Sequence, residues 1–202
     1  MSKAITASTV DLSKKKTPLD QDYESMLEQI CSIFSADDFQ IVRIDEAVAY
    51  MYIETIADIK RIHKEVVQVI PSFTKKPDEW HRLFTNGKEQ VELEKVMNDL
   101  MNGHVVIAHR SFTGKVISFS VAEFKQRAVE NPQLEKVLFG PKDSFVEDID
   151  TNISLLRRHN KDANFVISYY TIGERSKTKV ALIYYRDIAN PTWIKNIEKK
   201  LN

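Results

Sequence analysis

The 202 residues predict an α/β protein of two small subdomains, each a mixed β-sheet packed with helices, joined by a helical hinge. Three observations predict it. Short β-branched and aromatic runs come in pairs, segments with a 3.6-residue apolar period stand next to each pair, and a helical stretch broken at Asn131-Pro132 separates two such groups. Composition agrees: 43% hydrophobic and 29% charged residues is the balance of a chain that buries a core. The expected layout is a flexible tail over 1–16, an N-terminal subdomain over 17–121, a hinge over 122–140 and a second subdomain over 141–202.

The tail is polar and ends in Lys14 to Lys16 without an apolar stretch, so it does not read as a secretory signal. Thr17 as N-cap, Pro18 at the first helical position and Asp20 and Asp22 in the first turn predict a helix, with Tyr23, Met26, Ile30 and Ile33 on its apolar face. Phe39–Ile44 and Ala47–Glu54 read as a strand pair around Asp45-Glu46. The helix carrying Ile59, Ile62, Val66 and Val69 is expected to stop at Pro71. Ser72–Gly87 reads as a connector with one helical turn at Asp78–Phe84. Leu93, Val96 or Met97, and Leu100 mark a helix closed by Asn102-Gly103. Val105–Ala108 and Lys115–Val121 form a second hairpin. In the last third, Ser144 and Glu147 predict a capping box opening a helix to His159, followed by strands Asn164–Ile172 and Thr178–Arg186 and a helix from Asn190-Pro191.

One internal similarity connects the halves. Tyr52–Asp58 (YIETIAD) and Tyr184–Asn190 (YYRDIAN) both end a strand and pass to a helix at an Asp or Asn cap. Phe39 aligns with Phe165 at an offset of 126 and Tyr52 with Tyr184 at 132, so a repeat would place six extra residues at the Gly173–Lys177 turn.

Several function classes are disfavoured. Lys plus Arg and Asp plus Glu both number 29, so no net field recruits nucleic acid. The lone Cys31 cannot close an intrachain disulfide and leans toward a reducing compartment. Five glycines, none closer than eleven residues at Gly103 and Gly114, spell neither a dinucleotide fingerprint nor a phosphate loop. His104 and His109 differ in strand parity and face apart, and no metal or other cofactor is expected. Ser13–Lys16 matches S-x-x-K only inside the tail. The carboxylate pairs are Asp37-Asp38, Glu147-Asp148 and Asp148 with Asp150, the last two explained by a helix start. Arg175, Lys177 and Lys179 with Tyr169, Tyr170, Tyr184 and Tyr185 read as ordinary strand and turn chemistry rather than an RNA-binding strip. No catalytic constellation emerges, and the chain is not expected to be an enzyme.

The run FGPKDSFVEDIDTNISLLRRH from Phe139, followed by IGERSKTKVALIYYRDIANPTWIKNIEKKL, closely resembles the spore germinant-receptor A-subunit family. The residues that carry the resemblance are Gly140, Pro141, Phe145, Glu147, Asn152, Leu156, Arg157 and Arg158, then the turn Arg175, Ser176, Lys177 and Thr178. Lys142-Asp143 stands where the family has Arg-Glu, and Ser144 where it has Gly. The resemblance extends more loosely back to Asp37.

The resemblance implies the cytoplasmic N-terminal domain of a receptor subunit of the spore inner membrane, whose helical membrane domain lies outside these residues. The implied partners are a transporter-like B subunit, a C lipoprotein and other A subunits. The implied role is signal transmission and receptor assembly in nutrient-triggered germination, the alternative being direct binding of a small-molecule germinant in a cleft between subdomains. A family member acting in a sporulation-stage channel fits the same motifs. Arg175, Ser176 and Lys177 are the expected partner contact, on a turn without a structural duty. Asn152 is expected to be buried in an arc with Phe145, Ile149 and Leu156, bonded to backbone near Gly140-Pro141, with Arg157 and Arg158 on the other helix face serving the helix end or a partner.

Overall fold

The computed structural model describes residues 17–84, 86–122 and 145–201. The tail, nearly all of the hinge, Ser144 and Gly140-Pro141 lie outside the described residues. The elements are helix α1 (Tyr23–Cys31), strands β1 (Phe39–Arg43) and β2 (Val48–Ile53), helices α2 (Ile59–Ile62), α3 (Ile70–Lys75) and α4 (Trp80–Leu83), β3 (Lys88–Gln90), α5 (Leu93–Met101), β4 (His104–His109), β5 (Val116–Ser120), α6 (Ile149–His159), β6 (Phe165–Ile172), β7 (Thr178–Tyr185) and α7 (Pro191–Leu201). They build two sheets, both antiparallel throughout: one of five strands in the order β1-β2-β4-β5-β3, and the pair β6-β7.

The five-stranded sheet is covered on both faces, which is why β2 and β4 read as continuous apolar runs rather than alternating ones. Met26, Leu27 and Ile30 of α1 and Leu93, Val96 and Leu100 of α5 pack on Ala49, Met51, Val106 and Ala108. Ile62, Val66, Phe73, Trp80 and Phe84 pack on Val48, Tyr50, Val105 and Ile107 from the other side. The helix before β4 ends as expected, with Gly103 at φ +76°, where a side chain would also press on Ala122 and the Ile56 carbonyl.

Three local expectations change. Helix α1 is capped by Asp22, whose carboxylate accepts the Ser25 amide, and not by Thr17. Thr17–Leu19 instead lies extended beside Val91–Leu93: the Leu19 amide donates to the Val91 carbonyl and Leu93 to Thr17, each at 2.9 Å, and Pro18 has no N–H to waste there. Pro71 does not stop the second helix but sits in the first turn of α3, where its missing N–H costs nothing. The chain reaches it through a π-helical turn over His63–Val67. The region read as a connector is therefore largely helical, and its apolar residues Phe73, Trp80 and Phe84 are core. Strand β3, three polar residues paired only to β5, was not expected at all.

The two halves repeat. In both, a helix leads into a hairpin and a second helix follows: α1-β1-β2-α2 and α6-β6-β7-α7. Phe39 faces Ile53 and Phe165 faces Tyr185, which are the offsets 126 and 132 read from the sequence. The backbone matches through the exit: the Ile56 and Ala57 amides donate to the Ile53 carbonyl, the Ile188 and Ala189 amides to that of Tyr185. Asp58 then caps the Arg61 amide and Asn190 the Thr192 amide. The leading helix packs on the same sheet face in each copy, against Phe39, Ile41 and Met51 in one and Phe165, Ile167 and Ile183 in the other. The extra length lies in the β6-β7 hairpin, whose turn includes Gly173 at φ +84° and Lys177 at φ +49°.

His104 and His109 do face apart. His104 Nδ1 meets Ser118 Oγ and lies 3.8 Å from Asp99, whereas His109 packs edge-on to Phe73 and beside Phe112. His109 Nδ1 accepts the Ser111 amide, so its proton sits on Nε2. Burial holds its pKa below the ordinary 6.5, against the pull of Asp45 and Asp78. The folded chain thus binds a proton less readily than the unfolded one, and this contribution to stability, present above about pH 6.5, is lost as the pH falls below it. In melts from about pH 7.5 to about pH 5.5, the stability difference between wild type and His109→Gln is expected to shrink, and a constant difference counts against a neutral buried His109.

Candidate functional site at the joint between the two sheets

The segment Ile33–Asp38, between α1 and β1, is gripped by the second half of the chain at nearly every residue. Arg186 of the β7 exit donates to the Ile33 carbonyl and to Ser35 Oγ. Ala36 is buried with Ile153, Phe165 and Ile167. The Asp37 amide donates to the Ile167 carbonyl at 2.8 Å while the Asp37 carboxylate accepts the Tyr169 amide at 2.7 Å, so one residue occupies the outer edge of β6 as a strand would. Lys161 adds a bond to Asn102 Oδ1 at 2.6 Å.

At the centre lies Asp38. Arg157 of α6 meets it as a fork, Nε to Oδ2 at 2.8 Å and Nη2 to Oδ1 at 2.7 Å. Both side chains are 1% exposed. Thr55 Oγ1 donates to Oδ2 at 2.7 Å, the Asp38 carbonyl accepts the Glu54 amide, and the guanidinium lies 5.1 Å over the Phe165 ring. The fork geometry is what a planar guanidinium offers a carboxylate, and it fixes the orientation of α6 against the first hairpin as well as its distance.

This corrects the expected face of Arg157. Helix α6 begins at Ile149, capped by Asp148 through the Thr151 amide, so Phe145 and Glu147 precede it, and the Ser144 half of the expected capping box lies outside the described residues. Phe145 is 65% exposed and outside the apolar arc. The buried stripe is rotated toward Ile153, and Arg157, four residues on, belongs to it. Leu156 packs at the margin of the same cluster. Arg158 is half-buried and Glu147 exposed.

Asn152 is half-buried rather than buried, and its amide bonds backbone as expected of it, but at Val146: Oδ1 accepts the Val146 amide at 2.7 Å and Nδ2 donates to its carbonyl at 2.6 Å. The side chain thereby holds the chain entering α6.

The turn Arg175–Thr178 is exposed and takes no part in the joint's hydrogen bonds described above, but it has a structural duty of its own. Ser176 Oγ donates to the Ile172 carbonyl, Thr178 Oγ1 to Ser176 Oγ, and the Lys177 amide to Gly173. The tyrosines do not form one strip. Tyr169 and Tyr185 face α6, whereas Tyr170 and Tyr184 lie beside Glu198 of α7, where burial first and that carboxylate second push both phenols upward.

The profile of the Bacillus/Clostridium GerA spore germination protein family matches residues 21–202. The chain belongs to that family. Stage V sporulation protein AF of Bacillus subtilis (strain 168) is 29% identical over 167 residues, 78% of this chain and 34% of its own length. Spore germination protein GerQA of Bacillus cereus is 25% identical over 166 residues, 81% of this chain and 33% of its own. The chain therefore spans about a third of the length of these relatives. The crystal structure of the N-terminal domain of the A subunit of the Bacillus megaterium spore germinant receptor GerK3 superposes with a TM-score of 0.69 at 23% identity, over 93% of this chain and 74% of that one, and shares the fold.

Truncating one member of the buried pair leaves the other charged and dry. Arg157→Ala is expected to destabilise the chain by about 3–5 kcal/mol in urea melts, while Arg157→Met combined with Asp38→Leu loses far less. A loss under about 1 kcal/mol for the single variant would show the pair to be solvated. Asn152→Ala should cost about 1–2 kcal/mol, through two lost bonds to the backbone of one residue, and Asn152→Asp, which sets a carboxylate oxygen against the Val146 carbonyl, at least as much. An unchanged midpoint for both would mean that Val146 is not held.

Proposed function

We propose that this chain is the N-terminal, non-catalytic coupling domain of a spore germinant-receptor A subunit. It passes a nutrient signal between membrane and partner subunits by moving as two halves joined at Asp38–Arg157. The observation that carries this reading is the joint itself. A bidentate ion pair at 1% exposure, bracketed by Asp37 on β6 and Arg186 on the helix exit, transmits a displacement of either half to the other.

On this reading the chain forms subdomains over 17–121 and 141–202 linked through 122–140. The domain lies on the cytoplasmic side of the spore inner membrane, and a B subunit, a C lipoprotein and further A subunits are its partners. The exposed turn at Arg175 and Lys177 is the contact offered to a neighbouring subunit. Family membership and the shared fold support the assignment.

The test replaces Asp38 by Leu and Arg157 by Met together in the full-length protein, which keeps the joint apolar and folded while removing its direction. Spores carrying it are expected to contain the protein and to lose at least about tenfold in germination rate with nutrient, the scale of a coupling energy above 1 kcal/mol. An unaltered rate would remove the joint from signalling. Titration calorimetry of the 202-residue chain against amino acids, sugars and nucleosides is expected to give no saturable heat; saturable binding would replace transmission by direct sensing.

A further inference from the structure

The chain contains two Asn-Gly pairs, Asn86-Gly87 and Asn102-Gly103, and the fold requires the glycine in both. A Cβ at position 87 would lie 3.0 Å from the Phe84 carbonyl oxygen and from the Trp80 ring, and 3.1 Å from Ile117. One at position 103 would lie 2.9 Å from Ala122 and from the Ile56 carbonyl oxygen, on a backbone at φ +76°. Packing thus places after each asparagine the one residue whose backbone nitrogen no side chain shields. That is the setting in which an asparagine side chain is most open to attack by the next amide.

The two asparagines are held very differently. Asn102 closes α5: its amide donates to the Asn98 and Asp99 carbonyls, Nδ2 donates to the Asn98 carbonyl at 2.6 Å, and Oδ1 accepts Lys161 Nζ at 2.6 Å. Asn86 is exposed, and among the described residues neither its amide nor its side chain has a hydrogen-bond partner. The glycine amides do not separate the pairs, since Gly87 donates to the Phe84 carbonyl at 2.8 Å and Gly103 to that of Leu100 at 3.0 Å. The difference lies in the asparagines. Cγ of Asn102 cannot swing toward the Gly103 nitrogen without parting from Asn98 and Lys161, whereas the Asn86 side chain gives up no bond.

We propose that Asn86 is a site of spontaneous deamidation through a cyclic imide formed with Gly87, and that the bonds to Asn98 and Lys161 protect Asn102 from the same reaction. The Gly87 amide loses its proton to solvent base, leaves the Phe84 carbonyl and attacks Asn86 Cγ. The N–Cγ bond forms, the Cγ–Nδ2 bond breaks and Nδ2 departs as ammonia, leaving a succinimide. Water then opens the ring. Attack at the Asn86 main-chain carbonyl breaks its bond to the Gly87 nitrogen and gives isoaspartate; attack at Cγ breaks the new bond and gives aspartate. One water enters, one ammonia leaves, and nothing is oxidised or reduced. The product carries a new carboxylate and, as isoaspartate, one more main-chain methylene directly before β3, a strand that among the described residues pairs with β5 alone.

The test incubates the folded chain in mildly alkaline buffer and follows both sites in one sample by mass spectrometry. Tryptic cleavage places Asn86 in residues 83–88 and Asn102 in residues 96–110, where fragmentation separates it from Asn98. Asn86 is expected to convert at least about tenfold faster than Asn102, the scale set by the hydrogen bonds that Asn102 must give up. In denaturant, where those bonds are gone, the two rates should converge. In heavy-oxygen water the product should gain one heavy oxygen, and isoaspartyl methyltransferase should label part of it. Asn86→Gln, whose longer side chain closes the ring far more slowly, should leave residues 83–88 unconverted over the same period.

Equal rates in the folded chain, or a slower Asn86, would overturn the inference. A preference for Asn86 that survives denaturation undiminished would overturn it too, because sequence and not the fold would then select the site. Aspartate alone, without isoaspartate, would overturn the route through the ring.

Discussion

Two opposite charges held out of water set the terms for the rest of the molecule. Removing a carboxylate and a guanidinium from solvent costs several kcal/mol apiece, and their attraction offsets this only with close, directional geometry. Asp38 and Arg157 have that geometry, with a third donor in Thr55, yet one guanidinium nitrogen, Nη1, is buried without a bonding partner among the described residues. An apolar pair of equal volume would hold the halves together at least as firmly. What it would lack is direction, because two forked bonds admit one angle and one register where a greasy contact admits many. The clamp along Ile33–Asp38 follows from that choice, each neighbouring contact being made in the orientation the fork dictates.

The repeat explains why the joint lies where it does. Residues 36–38 lead into β1 as 162–164 lead into β6, and each stretch makes the same backbone bend, Phe39 amide to Ala36 and Phe165 amide to Asp162. The first copy uses its bend to meet the second copy; the second copy's bend is closed by its own Asp162 and by Arg186 on Asn164. One structural unit thus serves two ends: in the first copy it supports a five-stranded sheet, and in the second it grips the first.

Much of this was legible in the sequence, where local chemistry decides. The hairpins follow from paired β-branched runs, the ends of α5 and the start of α7 from Asn102-Gly103 and Asn190-Pro191, and the repeat register from two offsets. The misreadings came where a distant partner outvoted a local signal. Thr17-Pro18 is a good helix start, but Val91–Leu93 claims it as a strand partner. Pro71 can stop a helix or begin one, and Phe73, packing against Phe84, favours the second. Strand β3 is polar because it is an edge strand and carries no periodic signal. The joint was half visible: Asp37-Asp38 stood out as a carboxylate pair and Arg157 as a family position, but nothing local pairs residues 119 apart. Ile153, four residues before Arg157, is the one signal that could have turned the helix the right way.

That separation in sequence also orders the making of the protein. By Ser120 every strand and helix of the first sheet has left the ribosome, and its core can close on local and mid-range contacts alone. Asp38 must then wait at the rim of that sheet until Arg157 emerges. The last third folds as a late clasp onto that sheet, and until it arrives the rim at Asp38 stays unclasped.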